Sequence, residues 1–165
     1  MWTTKKAFDS VEPWAIIQAL NDARIDSRYS RLIKFIYDHA TMDIKLDDET
    51  RTDKINIKRR VRQGDTISPK LFTLALENIF KMMNWDNKGI KIDGVYLNHL
   101  RFADDIVLIS KDIEELKSMI KELHETSLKI GLEMNISKTK IMSPTNESLN
   151  INNKHIEAVN EYIYL

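Results

Sequence analysis

Two adjacent aspartates, Asp104 and Asp105, are the side chains best suited to chemistry in this sequence. They stand between two apolar segments that are predicted as strands, 99–102 and 106–109, so the pair would lie at a tight turn between them. Like charges held together beside apolar strands repel each other, and a bound divalent cation would relieve that repulsion. The alternative is an exposed turn with no role, because aspartate is a common turn residue. The pair alone leaves both interpretations open.

The metal that two such carboxylates would hold is Mg²⁺ or Mn²⁺. Magnesium prefers one or two carboxylates together with phosphate oxygens and water. A pair of ions about 3.5–4 Å apart can activate a 3′-hydroxyl and stabilise a leaving pyrophosphate. The sequence contains no cysteine, which excludes disulfides and thiolate metal sites and leaves oxygen and imidazole as ligands.

A second candidate segment runs from Arg62 to Phe72 and reads Arg-Gln-Gly-Asp-Thr-Ile-Ser-Pro-Lys-Leu-Phe. Gly64 permits close approach of the backbone to a ligand, Gln63 carries both donors and acceptors, and the helix predicted to begin at Ser68 favours anions at its N-terminus. Basic residues cluster around its start: Lys54, Lys58, Arg59, Arg60 and Arg62. The functional interpretation is contact with a template and with nucleotide phosphates. The alternative is a solvated charge run followed by an ordinary helix start.

Two further segments are weak signals in isolation. Lys5–Val11 alone indicates only the start of a helix. Gly131–Lys140 contains lysines, and a lysine near a leaving pyrophosphate could act as a general acid. The commoner alternative for such a residue is a surface lysine on a strand edge.

The bulk composition bounds the class of protein. With 165 residues, of which 42% are hydrophobic, the chain fits one domain with a sizeable core. Lys plus Arg equal Asp plus Glu at 25 each, which argues against nucleic-acid binding by the whole surface but not by a local groove. No apolar run reaches the roughly 18 residues of a membrane span, and the N-terminus lacks the apolar stretch of a signal peptide. We therefore expect a soluble intracellular protein without a membrane partner.

Hydrophobic periodicity predicts the elements that must position these residues. Helices are expected over 11–24 with Asp9 or Ser10 as cap, over 28–37 with Ser27 as cap, from Ser68 to about Met83, and from an Asp112–Glu115 capping box to Gly131. Strands are expected at 41–46, 54–58, 90–92, 95–97, 99–102, 106–109, 133–135 and 139–142, with a loop over 143–153. The sum is an α/β (α+β) fold with an antiparallel sheet and helices packed mainly on one face.

Taken in order and spacing, the four segments resemble the motifs of reverse transcriptases encoded by non-LTR (LINE-type) retrotransposons. Lys5–Val11 is similar to the end of the first palm motif, Arg62–Phe72 to the second, Phe102–Ile109 to the third and Gly131–Lys140 to the fourth, while Glu157–Leu165 resembles the start of the fifth. The resemblance covers essentially the whole chain. It implies a ferredoxin-like palm sheet over residues 1–165 and an RNA-directed DNA polymerase with an RNA template, a DNA primer and dNTP as partners. A nuclear or cytoplasmic location follows as an expectation.

The resemblance also implies roles for individual residues. Asp104 and Asp105 would form the catalytic metal site, with Asp104 as the direct ligand. Nucleotide or template contacts are implied for Phe8, Arg62, Gln63, Gly64 and Lys138. Within that set the aromatic ring would gate against a ribose 2′-hydroxyl, the glutamine-glycine pair would lie near the incoming nucleotide and template, and the lysine would lie near the triphosphate.

One departure from the family pattern bears on activity. The first motif of the family begins with a metal-binding aspartate six residues before the position of Asp9, and Thr3 occupies that position here. A neutral hydroxyl is a poor ligand for a hard dication, so we expect impaired or absent polymerisation. We also expect a chain truncated at both ends, because the start of the first motif, the fingers upstream and the thumb downstream lie outside it. Positioning by such parts supplies much of polymerase catalysis.

Three hypotheses follow from the sequence. The first is an RNA-directed DNA polymerase by descent whose isolated chain has little or no activity. The second is a non-catalytic nucleic-acid-binding module derived from such an enzyme, which would depend on the basic cluster of 54–62. The third is a structural or interaction domain on the same sheet with no retained chemistry, since such sheets host many activities.

Overall fold

The computed structural model describes residues 7–47, 50–56, 66–144, 147–151 and 154–163, and these divide into two compact units. The N-terminal unit comprises residues 8–78, and the C-terminal unit comprises the described residues from 79 onward together with Ala7. None of the helices in these ranges combines the length and the hydrophobicity that a membrane span requires.

The N-terminal unit is built mainly from helices. Its elements are α1 (Ala7–Ser10), α2 (Pro13–Asp22), α3 (Ser27–Asp38), β1 (Thr41–Met42), β2 (Ile55–Asn56) and most of α4 (Ser68–Met82), which continues into the C-terminal unit. Helix α2 buries the side chains that recur at helical spacing, among them Ile16 and Leu20. Strands β1 and β2 pair antiparallel and lie within the segments 41–46 and 54–58 that were predicted as strands.

Two helices of this unit begin at residues other than those expected. The residue before a proline is held in an extended conformation, so α2 begins at Pro13 with Glu12 as its N-cap rather than Asp9 or Ser10. Helix α3 is capped by Asp26, whose carboxylate accepts the Arg28 backbone N–H at 2.9 Å, and not by Ser27. A carboxylate at this position satisfies one of the free N–H groups of the first turn.

The C-terminal unit combines two hairpins, one long helix and a three-stranded sheet. Its elements are β3 (Ile90–Ile92), β4 (Val95–Leu97), β5 (His99–Phe102), β6 (Asp105–Leu108), α5 (Ile113–Lys129), β7 (Lys140–Ile141), β8 (Leu149–Ile151) and β9 (Lys154–Ala158). Strands β3 and β4 form one antiparallel hairpin and β5 and β6 another, while the last three strands lie in the order β7-β9-β8. Among the described residues the fold is therefore α+β with small sheets, mostly antiparallel; the parallel pairing of β7 with β9 departs from the all-antiparallel expectation.

Both ends of α5 follow the sequence signals. The Asp112 side chain caps the helix by accepting the Glu115 backbone N–H at 2.8 Å. At the other end Gly131 adopts φ +86°, and the N–H groups of Gly131 and Leu132 donate to the carbonyls of Leu128 and Ser127. This pair of bonds is the Schellman arrangement, which needs a left-handed residue and therefore favours glycine.

The prediction of a loop after β7, over residues 143–153, was partly wrong. Strand β8 lies inside it, with Leu149 and Ile151 buried and Asn150 exposed between them. The alternation has the two-residue period of a half-buried strand, but asparagine and serine around it favour a loop. Pairing with β9 is what makes this weak strand former extended.

Candidate metal centre

The two aspartates lie at the turn of the β5–β6 hairpin. Phe102 pairs with Asp105, so the connection is a two-residue turn made of Ala103 and Asp104. Such turns require positive φ, and Ala103 adopts φ +52°. Strand β6 begins one residue earlier than predicted, at Asp105, because this residue continues the ladder opposite Phe102. The turn thus places two consecutive carboxylates at one end of the hairpin.

The hairpin is anchored on one side and open on the other. The side chain of Ile106 is fully buried, whereas that of Phe102 is 67% exposed. Asp104 and Asp105 lie between these extremes, half-buried. The carboxylates are therefore held next to the buried Ile106 and still reach solvent. A metal ligand needs this access if substrate oxygens are to bind the same ion.

The electrostatics of the turn favour a bound cation. Burial raises the pKa of the Asp105 carboxyl above its ordinary value, and the neighbouring Asp104 carboxylate raises it further. Lys138 acts in the opposite direction and lowers the same pKa. A divalent cation at the turn would compensate the charge of the Asp105 carboxylate beside that of Asp104.

Lys138 lies in a tight turn held by the preceding asparagine. The Asn135 carbonyl accepts the backbone N–H groups of Lys138 and Thr139, at 3.2 and 2.9 Å, and the Thr139 hydroxyl at 2.7 Å. The Ser137 hydroxyl donates to the Asn135 side chain at 2.8 Å. Thr139 is buried while Lys138 is exposed, so the turn directs the ammonium outward. Of the strand expected over 133–135 only Met134 forms a β-bridge, and the turn follows at residues 136–138.

The other predicted site residues fall into two groups. Arg62, Gln63 and Gly64 lie outside the described residues, as does Thr3. Phe8 lies in the N-terminal unit, where its ring stacks on that of Phe72 with centroids 4.5 Å apart. The structure therefore brings together three of the predicted residues, the two aspartates and Lys138.

The donor set at the turn fits Mg²⁺ or Mn²⁺ only as a partial site. Within the described ranges, no group of three or more His, Cys, Asp or Glu side chains could hold a metal ion. Two carboxylates suffice when phosphate oxygens and water complete the coordination, which is the usual arrangement for Mg²⁺. Asp104 and Asp105 are thus the candidate ligands, and substrate phosphate would supply the remainder.

Sequence reasoning missed the residues that support this turn from a distance. Asn98 directly precedes β5, and its carbonyl accepts the backbone N–H of Ile109, which closes the hairpin at the end opposite to the aspartates. Its side-chain amide donates to the Trp85 carbonyl at 2.9 Å. No local pattern identifies such a residue, since its partner lies outside the hairpin.

The hairpin turn thus carries two consecutive aspartates, and Lys138 acts electrostatically on Asp105. The model of the family described as reverse transcriptase (RNA-dependent DNA polymerase) matches residues 4–161, and the chain belongs to this family. The prediction of this family from the sequence is confirmed.

The curated relatives are retrotransposon proteins. The chain is 31% identical over 130 residues to the "Retrovirus-related Pol polyprotein from type-1 retrotransposable element R2" of Nasonia vitripennis, a match that covers 79% of this chain and 12% of the relative. Proteins with the same description from Bradysia coprophila and Popillia japonica are 32% and 29% identical over 139 and 140 residues. Each match covers 84% of this chain, and 16% and 20% of the respective relative. The chain thus spans a small part of the length of these relatives.

Proposed function

We propose that this chain is the palm region of an RNA-directed DNA polymerase, with the ferredoxin-like sheet expected of such a domain. Its partners would be an RNA template, a DNA primer and dNTP. The family match over residues 4–161 supports the class of enzyme. The observation that carries the site is the hairpin turn at which Asp104 and Asp105 stand together while Lys138 acts electrostatically on Asp105.

The residues of the chain divide the proposed chemistry among them. Asp104 and Asp105 would hold divalent cations through their carboxylate oxygens. When bound, a pair of Mg²⁺ or Mn²⁺ ions supplies the charge that activates a primer 3′-hydroxyl and stabilises the leaving pyrophosphate. Lys138, which is exposed, orients the triphosphate by its positive charge.

Four further residues would supply the nucleotide and template contacts of this proposal. Phe8 gates against a ribose 2′-hydroxyl. Arg62, Gln63 and Gly64 contact the incoming nucleotide and the template backbone. These assignments rest on the resemblance of the motifs and on the family match.

Metal binding at the turn is tested most directly with Mn²⁺. Addition of Mn²⁺ to the labelled chain should broaden the amide resonances of Asp104 and Asp105 first, because paramagnetic broadening falls steeply with distance. The double variant Asp104→Asn/Asp105→Asn should abolish this broadening. Asp93→Asn is the matched control, since Asp93 also stands in a hairpin turn of the same unit and should leave the broadening unchanged. Broadening that persists in the double variant would refute the assignment.

Polymerisation by the chain as it stands should be weak or absent because Thr3 replaces a carboxylate ligand. Primer extension on an RNA template should therefore differ little between the unchanged chain and Asp104→Asn. Thr3→Asp should increase Mg²⁺ or Mn²⁺ affinity, measured by calorimetry, because it restores a third carboxylate. Robust extension by the unchanged chain would overturn the proposed impairment.

A non-catalytic nucleic-acid-binding role is the second candidate. The basic cluster of 54–62 favours it. Filter binding to an RNA–DNA hybrid should then show affinity that falls steeply with salt and that depends on the basic cluster of 54–62. Affinity that is unchanged when these basic residues are replaced by glutamine would exclude this role.

A further inference from the structure

Two glutamates on one face of α5 hold a short segment of main chain, residues 84–89. Glu122 accepts the Asn84 backbone N–H at 3.4 Å and the Trp85 indole N–H at 2.8 Å, both at the start of the segment. It also accepts the Lys88 ammonium at 3.1 Å. At the other end Glu115 accepts the Gly89 backbone N–H at 3.1 Å. The two glutamates are seven residues apart, so they lie two turns apart on the same helix face. Two of these bonds go to backbone N–H groups, so they position the main chain itself.

The segment 84–89 is in turn attached to the base of the aspartate hairpin. The Asn98 side-chain amide donates to the Trp85 carbonyl at 2.9 Å. The Trp85 ring lies edge-on to the His99 ring, with centroids 6.0 Å apart. Gly89 packs so closely on this junction that a Cβ at its position would lie 2.7 Å from the Asn98 Cα atom. A shift of the segment therefore has to move Asn98, which directly precedes β5.

Asn98 connects the segment 84–89 to both strands of the hairpin. Its carbonyl accepts the Ile109 N–H at 2.8 Å, directly after β6. The β5–β6 ladder then continues without interruption from His99–Leu108 to Phe102–Asp105. Because a two-stranded ladder with a two-residue turn is short and stiff in register, the placement of its base determines where its turn lies.

We propose that Glu122 and Asn98 are positioning residues for the aspartate pair. Glu122 holds the segment 84–89 against α5, and Asn98 transmits that placement to the hairpin whose turn carries Asp104 and Asp105. The consequence for metal affinity rests on the proposed function. The consequence for the order of the hairpin does not.

The test compares Glu122→Gln, Asn98→Asp and their double variant in the full chain. Glu125→Gln is the matched control, since Glu125 is an exposed residue of the same helix that pairs with Lys121 only at 4.0 Å. Hydrogen exchange of the β5–β6 amides should accelerate by about tenfold or more in both single variants, while the β8–β9 amides keep their rates. The double variant should exchange no faster than Asn98→Asp alone, because both substitutions break one route.

The second measurement is the Mn²⁺ dissociation constant from resonance broadening. It should rise about tenfold or more in Glu122→Gln and Asn98→Asp, as for other partners that orient metal ligands without touching the metal. Glu125→Gln should bind Mn²⁺ as the unchanged chain does. Should Glu122→Gln fail to fold, Glu115→Gln loosens the Gly89 end of the segment and allows the same comparison.

The outcomes separate this proposal from the assignment of the metal site. Hairpin exchange that is unaltered, or that accelerates equally in β8–β9, would overturn the positioning role whatever the metal does. If the unchanged chain shows no Mn²⁺ broadening at the turn, the metal site fails, and the exchange rates still decide whether Glu122 and Asn98 hold the hairpin. A normal Mn²⁺ dissociation constant beside a loosened hairpin would overturn the link to the aspartates.

Discussion

Substitution of Gly89 by alanine should destabilise the C-terminal unit far more than the same change at Gly94. Both glycines have positive φ, +100° and +87°, so alanine at either position carries a conformational cost of about 1–2 kcal/mol. Around Gly94 a Cβ meets nothing within 4 Å. At Gly89 it would lie 2.3 Å from the Leu97 carbonyl oxygen and 2.7 Å from the Asn98 Cα atom. These are backbone atoms, which cannot rotate away as a side chain can.

The steric contribution can be worked out as a difference between the two variants. Forcing extra volume into a packed site typically costs about 1–3 kcal/mol. We therefore expect Gly94→Ala to lower the free energy of unfolding by about 1–2 kcal/mol and Gly89→Ala to lower it by roughly 2–5 kcal/mol. In a chain of this size a difference of about 2 kcal/mol corresponds to roughly 4–8 °C in Tm.

The measurement needs a probe that belongs to the C-terminal unit. Of the three tryptophans, Trp85 is buried in that unit and Trp14 lies half-exposed in the other. Replacing Trp2 and Trp14 by phenylalanine leaves Trp85 as the only indole, and urea unfolding followed by its fluorescence then reports the unit alone. Equal losses of stability in Gly89→Ala and Gly94→Ala would refute the close packing of Gly89 on Leu97 and Asn98.

Three further predictions use single substitutions in the C-terminal unit. Among the described residues the fully buried Ser127 hydroxyl has no hydrogen-bond partner. Ser127→Ala should therefore raise the free energy of unfolding by about 1–2 kcal/mol in urea titrations, whereas the exposed control Ser118→Ala should raise it by less than about 0.5 kcal/mol. Ala103→Gly should remove the strain of a positive φ at the turn and stabilise the chain by roughly 0.5–1 kcal/mol. A lower Tm in thermal unfolding would contradict the turn geometry. The pKa of the Asp105 carboxyl is raised in the folded state, so its ionised form opposes folding. The protonated carboxyl stabilises the folded state below the ordinary pKa of about 3.9, and this stabilisation is lost as pH rises through the higher pKa of the folded state. Asp105→Asn should therefore raise the free energy of unfolding at neutral pH, and the gain should vanish in unfolding experiments below about pH 3.5. A gain that is independent of pH would count against the raised pKa.

Much of the local structure could be predicted from the sequence because it depends on neighbours along the chain. The hairpin around Asp104 follows from apolar strands on both sides of a turn, and the ends of α5 follow from Asp112 and Gly131. Some of the errors were also local. The N-caps of α2 and α3 were predicted at the wrong residues because several successive polar residues could act as caps. The backbone geometry at Pro13 and at Asp26 decided which residue caps each helix.

The candidate site was only partly predictable. Asp104 and Asp105 are adjacent in sequence, so their proximity needed no tertiary information. Lys138 is thirty-three residues from Asp105, and its effect on that carboxyl became visible only in the structure. The motif resemblance had suggested its role, but no rule of spacing brings residues that far apart together.

The sequence by itself determined the family, the hairpin and the caps of α5, because motifs, period-two alternation and turn chemistry act over a few residues. Only the tertiary structure decided that Glu122 holds Trp85, that Asn98 joins the segment 84–89 to the hairpin, and that β8 pairs with β9. Those contacts join elements whose encounter depends on how the whole unit packs. A glutamate on a helix surface or an asparagine before a strand carries no local sign of its partner, since the same residue in solvent would satisfy every local preference equally well.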